Sequence, residues 1–241
     1  MKKRIYLLLL SVVAIFSSCR DDSGDFVEQL FTDAQISIAL RDCLQLASDS
    51  TLRTLCVVDS LTPKEGYYLF DTLNYRIELP EASKQVIDTL SAYGLGEVID
   101  SLIFDINKAA ELCGTKLKKE MDATIKNLQF PDPKLILHGG KNAATNFFRE
   151  KHKDDFISLL VTSVLTEQFN KLQIIARWNA LQENYFQLTG KYASVDILTP
   201  AAQQMASGYF KLMALVEEAI RNNPNLRGKS DGLLNKVFET Q

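Results

Sequence analysis

Two groups of residues in this chain combine side chains suited to binding or catalysis at close sequence separation. The first is Gly139-Gly140-Lys141-Asn142, with Thr145 and Arg149 beyond it, inside the run Leu135–Arg149. Two adjacent glycines interrupt a helical pattern that resumes at once, so one helix must stop and another start within a few residues. The free N–H groups opening the second helix can hold an anion, with Lys141 and Arg149 supplying positive charge. A phosphate loop of the Walker type is excluded by spacing. It needs glycine five positions before Gly140, where Leu135 stands, and Ser or Thr after Lys141, where Asn142 stands. The plainer alternative is a helix–helix joint in which Gly139 and Gly140 take positive φ to end the first helix and the Asn142 side chain caps the second.

The second group is Glu217, Glu218 and Arg221. Neighbouring carboxylates could do acid–base work, but sequence neighbours on a helix point about 100° apart and do not naturally flank one bond. Glu217 and Arg221 are four apart, in the order that favours a helical ion pair. Other chemistries find less support. The two histidines, His138 and His152, belong to no H-E-x-x-H motif and have no close cysteine partner, so they read as cap or surface residues and no metal is expected. G-x-S-x-G is absent, and no cofactor motif takes its place.

The elements that must position these residues read as an all-α, multi-helix bundle. One or two helices are expected in Phe26–Leu61, stopped by Thr62-Pro63. Tyr67, Tyr68, Leu69, Phe70, Tyr75 and Ile77 favour extended backbone, which predicts a short extended or hairpin arm near residues 64–80. A helix starts at Pro80-Glu81 and stops at Gly94, with Gly96 at a tight joint. Val98, Leu102, Ile106, Ala109, Cys113, Leu117, Met121, Ile125 and Leu128 then recur every three or four residues, predicting one long amphipathic helix. Its solvent face would carry Glu111, Lys116, Lys118, Lys119, Glu120 and Lys126.

Pro131-Asp132-Pro133 opens a short helix into His138. One helix follows from Asn142, carrying Phe147 and Phe148. Another is expected from Phe156, turning Val161, Leu165, Phe169, Leu172 and Ala176 inward, with Trp178, Tyr185 and Phe186 before Gly190. Thr199-Pro200 caps a helix with Ala202, Met205, Ala206, Tyr209, Met213, Val216 and Ile220 inward, ended by Asn222-Asn223-Pro224. Asp231–Phe238 closes the chain.

The N-terminal residues read as an address. Lys2, Lys3 and Arg4 precede a short apolar run, Tyr6–Phe16, and small residues stand just before Cys19. The run is too short to span a bilayer. This pattern resembles a bacterial lipoprotein signal peptide, which implies cleavage before Cys19 and a diacylglycerol on its sulfur. Residues 1–18 would then be the signal, 19–26 a lipidated tether and 27–241 a single helical domain. Arg20-Asp21-Asp22 lacks the aspartate after the cysteine associated with inner-membrane retention. It resembles an outer-membrane sorting signal, with display at the cell surface as one variant and a plain solvated tether as the other.

The 27 Lys and Arg, less the three in the leader, leave 24 against 30 Asp and Glu, a net charge of −6. Phosphate would repel such a chain, and no basic stripe with interleaved aromatics appears, so nucleic acid is not an expected partner. Beyond Cys19, Cys113 lies on an apolar stripe, and a Cys43–Cys56 disulfide is left open.

The segments Ile77-Glu78-Leu79-Pro80, Gly94-Leu95-Gly96, Gly139–Thr145 with Arg149, Glu217-Glu218 with Ile220-Arg221, Pro224, Arg227 and Leu233–Phe238 together resemble the DUF4197 family, domain of unknown function 4197. The resemblance implies an exported, mostly lipid-anchored helical protein with no established reaction. Three functions stay open: a non-catalytic domain holding an envelope protein or small ligand at the 139–149 joint and the C-terminal helices; an enzyme whose Glu217, Glu218, Arg149 and Arg221 meet in a cleft; and a structural envelope component.

Overall fold

The computed structural model describes residues 31–56, 75–229 and 231–239. The leader, Cys19, the tether and most of the expected arm therefore lie outside the described residues. Among the described residues the chain is all-α, with no strand, and no helix is long and apolar enough to cross a membrane.

Helix α1, Asp33–Leu55, begins with a reciprocal cap: the Gln35 N–H donates to Thr32 Oγ1 at 3.2 Å, and the Thr32 N–H donates to Gln35 Oε1 at 2.9 Å. Its inward face, Ala39, Leu40, Cys43, Leu44 and Ala47, is fully buried and small enough for other helices to approach closely. The extended stretch after it is described only for residues 75–80. Two amide side chains hold this stretch in place of a partner strand. Asn107 accepts from the Ile77 N–H and donates to the Ile77 carbonyl, each at 2.8 Å, and Gln204 does the same for Glu78 at 3.0 and 2.8 Å. No ladder is needed, because all the backbone groups of Ile77 and Glu78 are satisfied.

A single 3-10 turn, Glu81–Ser83, leads into α2, Lys84–Ala92. Gly94, at φ +85°, ends this helix where the sequence places the stop. The one long helix expected next is two: α3, Gly96–Glu111, and α4, Gly114–Lys126. The apolar stripe from Leu102 to Leu128 is buried as expected, but the axis turns at Leu112-Cys113, just before Gly114. The break lets α3 pack on two later helices, α7 (Leu165–Lys171) and α8 (Ile174–Thr189), while α4 packs on α1. Val98 is exposed, and Ile99 takes its inward place. Glu111, expected in solvent, is buried beside Lys108 at 3.2 Å. Lys118 reaches across to Asp49 on α1, tying the two helices together.

Asp132 caps the five-residue helix α5, Pro133–Leu137, by accepting from the Leu135 N–H at 2.9 Å. Beyond the joint, α6, Ala143–Leu159, does not end before Phe156. It continues through a π-turn at Leu160–Val164 into α7, Leu165–Lys171. The charged run Glu150–Asp155 contains no breaker, so nothing there stops a helix. Phe156 and Leu165 are nine residues apart and would point about 180° apart on an uninterrupted α-helix. The wider π-turn absorbs one residue and lets both be buried.

The real break is Gln173, at φ +54° the one non-glycine in the left-handed region among the described residues. After it, α8, Ile174–Thr189, buries Ile174, Trp178 and Tyr185 and leaves Ala176 exposed, contrary to the expected stripe. Gly190 ends this helix at φ +69°. The long α9, Leu198–Asn222, is capped by the Asp196 carboxylate rather than by Thr199, with the Leu198 N–H donating at 2.9 Å. Its Tyr209 hydroxyl meets Ser48 of α1 at 2.7 Å inside the core. A 3-10 turn, Pro224–Leu226, and α10, Leu233–Phe238, complete the described chain.

Candidate functional site

Every α-helix leaves backbone N–H groups unpaired at its start and carbonyls unpaired at its end, so a buried joint between two helices must supply partners for both. At the joint between α5 and α6 these partners come from α9. The Glu217 carboxylate accepts from the Ala144 N–H at 3.1 Å and from the Thr145 N–H at 2.6 Å. Arg221 donates from Nη1 to the Leu137 carbonyl at 2.8 Å and from Nη2 to the Ile136 carbonyl at 3.2 Å. Its Nε closes the set on Glu217 Oε1 at 2.8 Å. The anion thus sits at a helix N-terminus and the cation at a helix C-terminus, each where the dipole favours it. Glu217 is 0% and Arg221 8% exposed.

The joint differs from its sequence expectation at Gly139, Gly140 and Asn142. Neither Gly139 nor Gly140 has a positive φ. A Cβ on Gly139 would lie 2.8 Å from the Ala143 Cβ and 3.0 Å from the Leu135 carbonyl oxygen, whereas one on Gly140 would meet nothing within 4 Å. Gly139 is there for closeness, not conformation. Asn142 occupies the N-cap position of α6 but its side chain caps nothing. Its Oδ1 instead accepts from Asn146 Nδ2 at 3.1 Å.

The remaining members of the two groups lie at the periphery of the joint or away from it. Lys141 pairs with Glu218 at 2.6 Å on the surface. Arg149 is exposed and lines a different feature, a groove of about 900 Å³ between α6 and α9 that includes none of Glu217, Glu218 and Arg221. The cleft uniting Arg149, Arg221 and the two carboxylates is not formed among the described residues.

Arg227, whose sequence position shows only the family resemblance, extends the polar core of the joint. Its Nε donates to the Ile220 carbonyl at 2.9 Å, and the Phe238 ring lies under both Arg221 and Arg227, at 5.0 and 5.7 Å. Burial lowers the Arg227 pKa, against the opposing pull of Glu239.

The groove was not assembled from the sequence, although half its signal was there. Asn142, Asn146, Arg149 and Lys153 recur at four, three and four residues, which is one face of α6. The other wall is Gln203, Ser207, Phe210 and Lys211 of α9, 50 or more residues on. Asp154 is the one carboxylate in the lining. Among the described residues, neither Arg149 nor Lys153 makes an ion pair or a hydrogen bond.

His138 is exposed at the end of α5, and His152 packs its ring on Phe148 at 5.3 Å with Asp155 at 3.6 Å. Among the described residues no group of three or more His, Cys, Asp and Glu is placed to hold a metal ion. Cys43, Cys56 and Cys113 are free and buried. Cys43 lies in α1 and Cys56 at its C-terminal end, about 20 Å away along the helix, beyond any disulfide. Burial pushes all three thiol pKa values up, Cys113 to about 12.

Fold and site together define an all-helical domain organised around a buried Glu–Arg pair that caps two helices at once. The chain belongs to the DUF4197 family, a protein family of unknown function, whose match covers residues 30–239. No curated protein and no solved structure matches it.

Proposed function

We propose that this protein is a lipid-anchored, non-catalytic binding domain of the cell envelope, with the groove between α6 and α9 as its recognition surface. One observation carries the reading. The acidic and basic side chains that could have formed a catalytic cleft, Glu217 and Arg221, are used up in capping the α5–α6 joint, while Arg149 and Lys153 face an open groove with no partner among the described residues. The joint then acts as a fixture. It sets the start of α6 against the end of α9, and so fixes the spacing of the two groove walls.

The anchor rests on the basic and apolar leader before Cys19, and the outer-membrane placement on Arg20 standing where an inner-membrane lipoprotein would have aspartate, with the domain facing either the periplasm or the cell surface. A photo-cross-linking amino acid at Ser207, exposed in the groove, tests the binding reading in cells, with the same probe at exposed Asn184 of α8 as control. A discrete adduct at Ser207 and none at Asn184 is expected. Equal labelling at both positions, or none at Ser207, would rule the groove out as the recognition surface.

A further inference from the structure

We infer that the α6–α9 groove takes a small amphiphile with an anionic head, a phosphate or carboxylate carried on a short apolar chain. This rests on the binding reading above and specifies its ligand. Arg149 and Lys153 project from α6 against the single carboxylate of Asp154, an excess of one positive charge in a chain whose formal net charge is −3, while Lys211 of α9, also in the lining, holds its ammonium over the Tyr75 ring at 5.5 Å. Arg149 and Lys153 are like charges four residues apart on one helix face, an arrangement that is repulsive until an anion lies between them. The guanidinium of Arg149 offers a planar fork that fits two oxygens of a carboxylate or phosphate.

Neutral donors stand beside the cations. The Asn142 Oδ1 accepts from Asn146 Nδ2, both amides belong to the lining, and Gln203 and Ser207 line the opposite wall. The lining also has an apolar part. Ile157, Phe210, Ala214 and Leu215 share the groove with these donors, and Leu215 is 46% exposed. An inorganic anion would leave this surface wet. The volume of about 900 Å³ lies in the range of organic-ligand sites and is far more than one phosphate group fills.

Calorimetric titration of the full chain at low salt tests the assignment with four probes, each below its micelle concentration: octyl phosphate, octanoate, inorganic phosphate and octyl glucoside. One of the two anionic amphiphiles is expected to bind at a single site. Inorganic phosphate and the neutral octyl glucoside should each bind at least tenfold more weakly. The Arg149→Gln/Lys153→Gln double variant, altered only at exposed positions, should lose at least tenfold in affinity with an unchanged melting temperature, and Ser207→Trp should block the site sterically.

Octyl glucoside binding as tightly as octyl phosphate would overturn the anionic head, and phosphate doing so would overturn the apolar chain. Undiminished affinity in the double variant would move the site elsewhere. If neither anionic amphiphile binds while the Ser207 cross-link still forms, the ligand class is wrong and the recognition surface stands. If both fail, both readings fall.

Discussion

Gly139 and Gly140 are adjacent and identical, yet the joint treats them oppositely. An added methyl at Gly139 meets the Ala143 Cβ and the backbone of α5, and one at Gly140 meets open space. Gly139→Ala should therefore destabilise by about 1–3 kcal/mol, as overpacking does. Gly140→Ala should be neutral or stabilise by up to about 1 kcal/mol through the unfolded chain. Urea unfolding of the two variants checks this, and equal midpoints would refute the asymmetry. The buried thiols give a second residue-scale test. Desolvation, with Glu167 adding to it, raises Cys113 from its ordinary 9.0 to about 12. The folded protein therefore keeps a proton that the unfolded chain sheds above about pH 9. The stability tied to that proton is complete below pH 9 and is lost between pH 9 and 12. At pH 8, Cys43, Cys56 and Cys113 should not react with a thiol reagent until the protein is unfolded, and fast labelling of any of them in the native state would contradict their burial.

At the scale of elements, one ion pair does the work of two caps. Glu217→Gln would leave Arg221 buried and uncompensated and weaken the cap on α6. The expected loss is about 3–5 kcal/mol, the usual result of breaking a buried pair from one side. Glu217→Gln combined with Arg221→Met should cost less than the sum of the two single changes, because the unpaired charge is then gone. Additive losses in urea unfolding would show that the two side chains act separately. The π-turn at Leu160–Val164 has a comparable geometric role, since it rotates α7 so that Leu165 and Phe169 reach the core that Phe156 already occupies. The amide clamps of Asn107 and Gln204 replace a strand partner for residues 77–78.

At the scale of the whole molecule, the proposed architecture is a helical body held near a membrane by a lipid on Cys19. Metabolic labelling with a radioactive fatty acid should mark the wild-type chain, and Cys19→Ser should abolish the label and shift the protein out of the membrane fraction. Label retained in the variant would place the anchor elsewhere or remove it.

Helices and their punctuation were legible in the residues themselves. Gly94, Gly190 and the Pro131–Pro133 and Pro224 stops lie where the chain pattern puts them, and the buried stripe from Leu102 to Leu128 follows its own period. These features depend on backbone preferences and side-chain spacing that act over a few residues. The breaks at Leu112-Cys113 and Gln173, the continuity of α6 through its charged run, and the burial of Glu111 were decided by packing between distant helices. The same holds for the site. Glu217 and Arg221 were visible as a helical pair, but what they cap lies more than 70 residues earlier, and the groove has one wall from each end of that separation. An unpaired N–H or carbonyl at a helix end must find a partner somewhere, and only the folded chain decides which side chain arrives.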